Sequence, residues 1–144
     1  MKRKAFLMRI FCMLFAAVLF AFWSASIPAA RQSGLLDGKT FVGEFGKKWE
    51  KAEGKDEMIF QDGKFRSIAC DRYGFGDGLY TANAEGDIIT FETEVESARE
   101  GKIKWMGKVK GDTIEVNYTW YKAPKWYRFS KEPVEYWFKG RLKK

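Results

Sequence analysis

The stretch "KIKWMGKVKGDTIEVNYTW", residues 102–120, alternates apolar and polar side chains with a period of two. This is the period of a half-buried β-strand, because successive side chains point to opposite faces of a sheet. Two such runs, 102–110 and 113–120, are separated only by a Gly-Asp pair. A two-residue connection that contains glycine is typical of a hairpin, so the stretch predicts two antiparallel strands.

The register of this hairpin follows from its two faces. Pairing of Lys110 with Thr113 places Trp105 opposite Tyr118, so that large rings meet on one face while charged residues meet on the other. A shift of one residue would move every side chain to the wrong face. The pattern therefore predicts one register.

The preceding stretch, "DIITFETEVES" (residues 87–97), extends the same sheet. A fold at residues 98–100 places Glu94 opposite Lys104 and Phe91 opposite Gly107. Opposite charges then meet across the strands, and the glycine leaves room for a ring. Cross-strand pairing accounts for these charges without a catalytic carboxylate pair or a nucleic-acid surface.

The rest of the chain adds further strands and no predicted helix. Turn signals mark hairpins around residues 62–63 and 85–86, and "KTFVGEF" and "VEYWFKGRL" supply the first and last strands. About eight antiparallel strands in chain order favour an all-β, up-and-down barrel, which removes the exposed edges of an open sheet. An open sheet or a two-layer sandwich is the alternative.

The interior of such a barrel has to accommodate many rings. Residues 31–144 contain five tryptophans, six tyrosines and eight phenylalanines. A barrel of eight strands is just wide enough for side chains or for one small ligand. Gly107 and Gly140 lie on the inward face and leave space there, so the sequence allows either a filled barrel or a cavity.

Residues 1–30 have the order of a secretory signal peptide. Four basic residues precede an apolar run over 10–23, and small residues follow it. An uncleaved anchor is the alternative, because about 20 apolar residues span a bilayer. Cleavage would leave residues 31–144 as a single β-barrel domain, periplasmic or secreted, whose net charge falls from the +7 of the full chain to +3.

The absence of histidine limits the chemistry that the chain can perform. Without it, neither a Ser/His/Asp nor a Cys/His nucleophile can form, and a histidine-ligated zinc site is excluded as well. We therefore expect a protein that is not an enzyme, with no catalytic residues, no metal and no cofactor.

The segment "CDRYGFGDG", residues 70–78, allows two interpretations of its cysteine. If Phe60 faces Phe65 across their hairpin, alternation places Cys70 on the outer face, where a nearby arginine could depress the pKa of the thiol and make it reactive. In the structural interpretation Cys70 ends a strand, the glycines reverse the chain and Phe75 closes one barrel end.

A basic aromatic loop, residues 122–133, joins the last two strands. Loops of this length are often functional, and rings beside cations suit an apolar or anionic ligand. The candidate ligand-binding residues are Trp120, Trp126, Tyr127, Arg128 and Phe75.

Several stretches resemble a group of small exported bacterial proteins of unassigned function. They are "GKTFVGEFGKK", "DGKFRSIACDRYGFGDGLY", "ITFETEVES", "GKIKWMGKVKGD" and "YWFKGRL". The strand order also resembles lipocalin-like (calycin-like) barrels, although Lys39, Thr40 and Phe41 follow Gly38 where typical lipocalins have Gly-x-Trp. The second resemblance implies ligand carriage by analogy of fold alone.

These observations favour an extracytoplasmic, noncatalytic binding module for a small apolar or anionic envelope ligand. The alternative is a protein-interaction or inhibitor module that presents loop 122–133 to an acidic protein surface. A redox enzyme that depends on Cys70 is a third hypothesis. We expect no nucleic-acid partner, and membrane contact only through an uncleaved leader.

Overall fold

The computed structural model describes residues 32–125 and 132–144, which form a closed barrel of eight antiparallel strands in chain order. The predicted up-and-down barrel is confirmed. The strands are β1 (Lys39–Lys47), β2 (Gly54–Gln61), β3 (Lys64–Ser67), β4 (Gly78–Glu85), β5 (Ile88–Ser97), β6 (Gly101–Lys110), β7 (Thr113–Lys122) and β8 (Val134–Leu142). A single helical turn, α1 (Ile68–Asp71), lies between β3 and β4.

The two ends of the barrel differ in their connections. At the turn end, two-residue turns join β2 to β3, β4 to β5 and β6 to β7. The middle turn consists of Gly86 and Asp87, one residue later than the predicted 85–86. At the loop end, longer segments make the other four connections, and one of them includes α1.

The registers predicted from the alternating faces are confirmed. Trp105 pairs with Tyr118 across β6 and β7, and Phe91 pairs with Gly107 across β5 and β6. The outward charges meet as expected, since the Lys102 ammonium lies 2.9 Å from a Glu94 carboxylate oxygen. Both residues are exposed, so this pair contributes little to stability.

Strands β1 and β8 close the barrel through a tight backbone contact. Gly43 pairs with Gly140, and a side chain at Gly43 would clash with the backbone of Lys139 and Gly140. Both glycines are therefore required by the close approach of the two strands.

Aromatic rings fill the central part of the barrel. Phe60 makes edge-on contacts with the rings of Phe41, Phe65, Tyr80 and Phe91, at centroid separations of 4.9–6.1 Å. Such pairs stabilise beyond the area that they bury.

The space expected beside the two inward glycines is filled. A side chain at Gly107 would meet the Phe91 ring, and one at Gly140 would meet the Phe138 ring. Of the two alternatives that the sequence allowed, the barrel is filled at these two positions, because each glycine accommodates a neighbouring ring.

The segment before β1 packs against the turn end. Leu36 is fully buried in the core, and its backbone N–H donates to the Tyr80 hydroxyl at 2.9 Å. That hydroxyl donates to a carboxylate oxygen of Asp37 at 2.7 Å. Burial and this hydrogen bond raise the pKa of Tyr80 to about 12. Leu36 thus closes the barrel at this end.

Strand β3 is too short to cover its neighbour β2. Only residues 58–61 of β2 pair with β3, because β3 ends at Ser67 and α1 begins at the next residue. The mature chain was predicted to contain no convincing helix, and α1 is only a single turn of four residues. Alternation placed Cys70 outside unless a bulge reversed it; that placement is wrong, because the helical turn breaks the alternation and Cys70 packs against the core.

The predicted signal peptide, residues 1–30, lies outside the described residues. In the part of the chain that the structure describes, no helix is long and apolar enough to span a membrane.

Two tryptophans with opposite environments test the core. Trp105 is 1% exposed and Trp49 is 91% exposed. We expect Trp105→Ala to lower the free energy of unfolding by about 3–5 kcal/mol, because truncation of a buried ring leaves a cavity. The matched control Trp49→Ala should change it by less than about 0.5 kcal/mol. Urea unfolding of both variants measures the difference, and equal losses would contradict this description of the core.

Candidate functional site

A pocket of about 270 Å³ lies at the loop end of the barrel. Five of its twelve lining residues are aromatic, and three are charged. The lining residues are Phe45, Glu53, Gly54, Lys55, Ala69, Cys70, Arg72, Tyr73, Ile103, Tyr118, Trp120 and Tyr136. The pocket draws on strands β1, β2, β6, β7 and β8 and on the segment that contains α1.

A column of three rings connects this pocket to the core. Tyr118 stacks on Trp105 at 4.1 Å between centroids, and Tyr136 stacks on the other side of Tyr118 at 5.0 Å. Burial raises the pKa of both tyrosines, so their phenols stay neutral at physiological pH. The column therefore offers flat, uncharged ring surface to the pocket.

Trp120 forms another part of the wall and is fixed from several sides. Its indole N–H donates to the Glu100 carbonyl at 2.8 Å, and the rings of Tyr73 and Phe75 pack against it. The Lys122 ammonium lies 4.8 Å from the centroid of one of its rings. This packing fixes the orientation of the indole ring.

The five predicted binding residues have different outcomes. Trp120 lines the pocket, whereas Phe75 is buried behind it and supports the Trp120 ring. Trp126, Tyr127 and Arg128 lie outside the described residues, so their role in binding stays a prediction.

A buried carboxylate joins β2 to α1 beside the pocket. One Asp56 oxygen accepts the Ser67 hydroxyl at 2.6 Å, and the other accepts the backbone N–H groups of Glu57 at 2.7 Å and Ala69 at 2.8 Å. Burial raises the pKa of Asp56, although the three donors oppose this shift. In a longer β3, backbone carbonyl groups would accept hydrogen bonds from β2. Here the Asp56 carboxylate is the acceptor instead.

Cys70 lines the pocket as a protonated thiol. Burial raises the pKa of Cys70 to about 11, and the Asp56 and Asp71 carboxylates add to this effect. The Ser67 hydroxyl and the Arg72 charge act in the opposite direction but are outweighed. A nearby arginine does lower this pKa, as suggested, but burial outweighs it and the net shift is upward, so the thiol is not made reactive. Little thiolate exists at neutral pH, and the thiolate is the nucleophilic form.

Two cations lie where the barrel wall is incomplete. Residues 54–57 of β2 have no β3 partner, and Lys55, Ala69 and Arg72 border both the pocket and an outer groove beside it. We call the stretch of wall beside β2 residues 54–57, bordered by Lys55, Ala69 and Arg72, the side gap. Within residues 32–125 and 132–144, neither Lys55 nor Arg72 makes an ion pair.

The carboxylates close to the pocket, in contrast, are already bound. Glu53 lies 3.2 Å from the Lys47 ammonium, and Asp71 lies 2.9 Å from the Arg66 guanidinium. In the described part of the chain, no group of three or more Asp, Glu, Cys or His side chains is placed to hold a metal ion. Glu44, which lies opposite Lys55 and lines the outer groove, offsets part of the positive charge of the two cations on that side.

Sequence reasoning missed much of this site. Tyr118 was read as an inward strand residue and Tyr136 was placed only in the last strand, and no role in a pocket was predicted for either. One signal was available: alternation along β2 places Asp56 on the same face as Met58 and Phe60. A carboxylate on an apolar face needs hydrogen-bond donors nearby, which indicates that the sheet is interrupted there.

Comparison of the chain with protein-family models, with curated proteins and with solved structures finds no match. The barrel itself, with eight antiparallel strands in chain order, is compatible with a lipocalin-like fold. The resemblance to small exported bacterial proteins stays a prediction.

The buried thiol predicts slow alkylation that depends on pH. Because the pKa of Cys70 is about 11, we expect its rate of reaction with iodoacetamide to rise about tenfold per pH unit between about pH 7 and about pH 9. Peptide mapping by mass spectrometry separates Cys70 from Cys12. A rate that levels off below about pH 8 would show a thiol with a lowered pKa instead.

The Asp56 carboxylate predicts a local effect on α1. Asp56→Ala leaves three donors without their acceptor, so we expect a loss of about 2–4 kcal/mol in unfolding free energy. Hydrogen exchange should also speed up at the Ala69 amide. Glu57→Ala is the control, because Glu57 contributes only a surface ion pair with Lys143 and should cost less than about 1 kcal/mol. Unchanged exchange at Ala69 in Asp56→Ala would contradict the role of this carboxylate.

Proposed function

We propose that the protein is a noncatalytic binding module that takes a small apolar ligand into the loop-end pocket. The observation that carries the proposal is the contrast between the two barrel ends. Leu36 closes the turn end, while the loop end holds a pocket of about 270 Å³ whose wall includes five aromatic residues. Small-molecule sites are typically concave and mostly apolar, with a few placed polar groups.

The size of the pocket limits the ligand. Pockets for drug-sized molecules measure about 300–1,000 Å³, and a cavity of about 150 Å³ holds benzene. A volume of about 270 Å³ therefore suits a ligand with about two rings or a short alkyl chain. The flat faces of Tyr118, Tyr136 and Trp120 favour a ligand that itself carries rings.

Binding suits the protonation states of this pocket better than catalysis does. The Cys70 thiol and the Tyr118 phenol stay protonated at neutral pH, because burial raises the pKa of each. A nucleophile or general base needs a pKa closer to the working pH. The proposal therefore assigns no reaction to these side chains.

The cellular setting is part of the proposal. The leader over residues 1–30 supports export to the periplasm or to the medium, as in the small exported bacterial proteins that the sequence resembles. The ligand would then be a component of the envelope or of the surroundings. No nucleic acid is proposed as a partner.

A protein-interaction module is the second candidate, and one observation favours it. Trp49 lies in the β1–β2 connection at the loop end, is 91% exposed and has a φ of 69°, which L-residues rarely adopt. Exposed tryptophans are frequent at the centre of protein interfaces.

A neutral fluorescent probe tests the binding function. N-phenylnaphthylamine is apolar and carries three aromatic rings, so the pocket can enclose two of them while the third lies at its opening, and we expect it to bind at micromolar concentration with enhanced emission. Ala69→Phe places a ring at the pocket edge and should weaken binding by about tenfold or more. Ala84→Phe is the matched control, because Ala84 is exposed on β4 near the turn end.

A second measurement needs no variant. Because Cys70 lines the pocket, a bound probe should slow its alkylation at about pH 9. Equal binding by Ala69→Phe and Ala84→Phe, with both variants folded by circular dichroism and with no protection of Cys70, would rule out this pocket as the site. If the probe does not bind at all, the protein-interaction module becomes the better supported function.

A further inference from the structure

We infer that the ligand is an amphiphilic anion whose apolar part lies in the pocket and whose anionic group lies in the side gap, between Lys55 and Arg72. This inference rests on the proposed function and adds the chemical class of the ligand. It also assigns a binding role to two residues that the sequence did not single out.

The first step is the position of the two cations. Lys55 and Arg72 each border the aromatic pocket on one side and the outer groove on the other. Both residues are exposed, so their charged groups remain hydrated while no ligand is bound. An anionic group at this position can contact both cations without leaving water completely, which avoids the high cost of burying a charge.

The second step is the electrostatic balance at the side gap. Arg72 makes a cation–π contact with Tyr73, its guanidinium 5.8 Å from the ring centroid, and neither cation forms an ion pair within the described residues. Asp56 is bound to three donors, Glu53 to Lys47 and Asp71 to Arg66. Glu44 also lines the outer groove, where it lies opposite Lys55 across β1 and β2 and opposite Lys139 across β1 and β8. An anionic ligand would therefore share Lys55 with Glu44, while the Arg72 charge is available to it.

The third step is the interruption of the barrel wall. In a complete barrel the backbone ladder of β2 and β3 would separate the interior from the outward-facing Lys55. Here β3 ends opposite Met58, and only the Asp56 side chain and α1 continue the wall. An apolar group inside and an anionic group at the wall can therefore belong to one small molecule.

A matched pair of probes tests the class of ligand. Anilinonaphthalenesulfonate is N-phenylnaphthylamine with one added sulfonate, so the two differ by a single anionic group. We expect the anionic probe to bind about tenfold more tightly, since two partly exposed cations each add a modest gain. Its advantage should fall when ionic strength rises from about 0.05 M to about 1 M, because salt screens exposed charges.

Two double variants assign this advantage to the side gap. Lys55→Gln with Arg72→Gln should remove the advantage of the sulfonate, measured as the ratio of the dissociation constants of the two probes on the same variant, so that any change common to both probes cancels. The control is Lys51→Gln with Arg99→Gln. It makes the same change of charge at two exposed loop-end residues that do not line the pocket, and it should retain the advantage.

The outcomes separate the inference from the proposed function. If both probes bind the wild type equally, or if the two double variants lose the sulfonate advantage equally, the inference is overturned while the pocket remains a binding site. If the anionic probe binds Ala69→Phe as well as it binds the wild type, its site is a basic surface and the inference is again overturned. If neither probe binds, the proposed function falls as well.

Discussion

The loop end of this barrel depends on one buried carboxylate. Asp56 accepts hydrogen bonds from the Ser67 hydroxyl and from the Ala69 amide, and so continues the wall where the backbone pairing of β2 and β3 stops. Without these bonds, α1 would have no polar attachment to β2 and the buried groups would lack partners. A buried charge with full hydrogen bonding is costly but specific, because few other arrangements could satisfy it.

Other features of the site follow from this attachment. Because α1 replaces the rest of β3, Cys70 turns toward the core and Arg72 reaches the side gap. Because β2 has no partner over residues 54–57, the pocket and the outer groove share an edge. A regular eight-stranded barrel with this sequence of rings would be filled, and its outward lysines would be separated from its interior.

The sequence predicted the regular part of the fold and missed this irregular part for a physical reason. Strands β5, β6 and β7 are long, and their charges and rings agree with only one register, so local alternation sufficed. In β3 the alternation continues past Ser67 in the sequence, and nothing local ends the strand there. The deciding partner, Asp56, lies 13 residues before Ala69. Trp120 was identified as a candidate together with the basic aromatic loop, whereas Tyr118 looked like an ordinary core residue and Tyr136 was assigned only to the last strand.

The side chains that pack the core and those that line the pocket lie mainly in different halves of the barrel. Around Phe60 the rings pack edge to face with no space left, and Leu36 closes the turn end. This half can hold the strands in register while the loop end keeps an incomplete wall. Tyr118 belongs to both halves, because it stacks on buried Trp105 and also lines the pocket. Its ring is held by the core, so this part of the pocket wall is formed without a ligand, and the proposed binding would require little ordering of side chains.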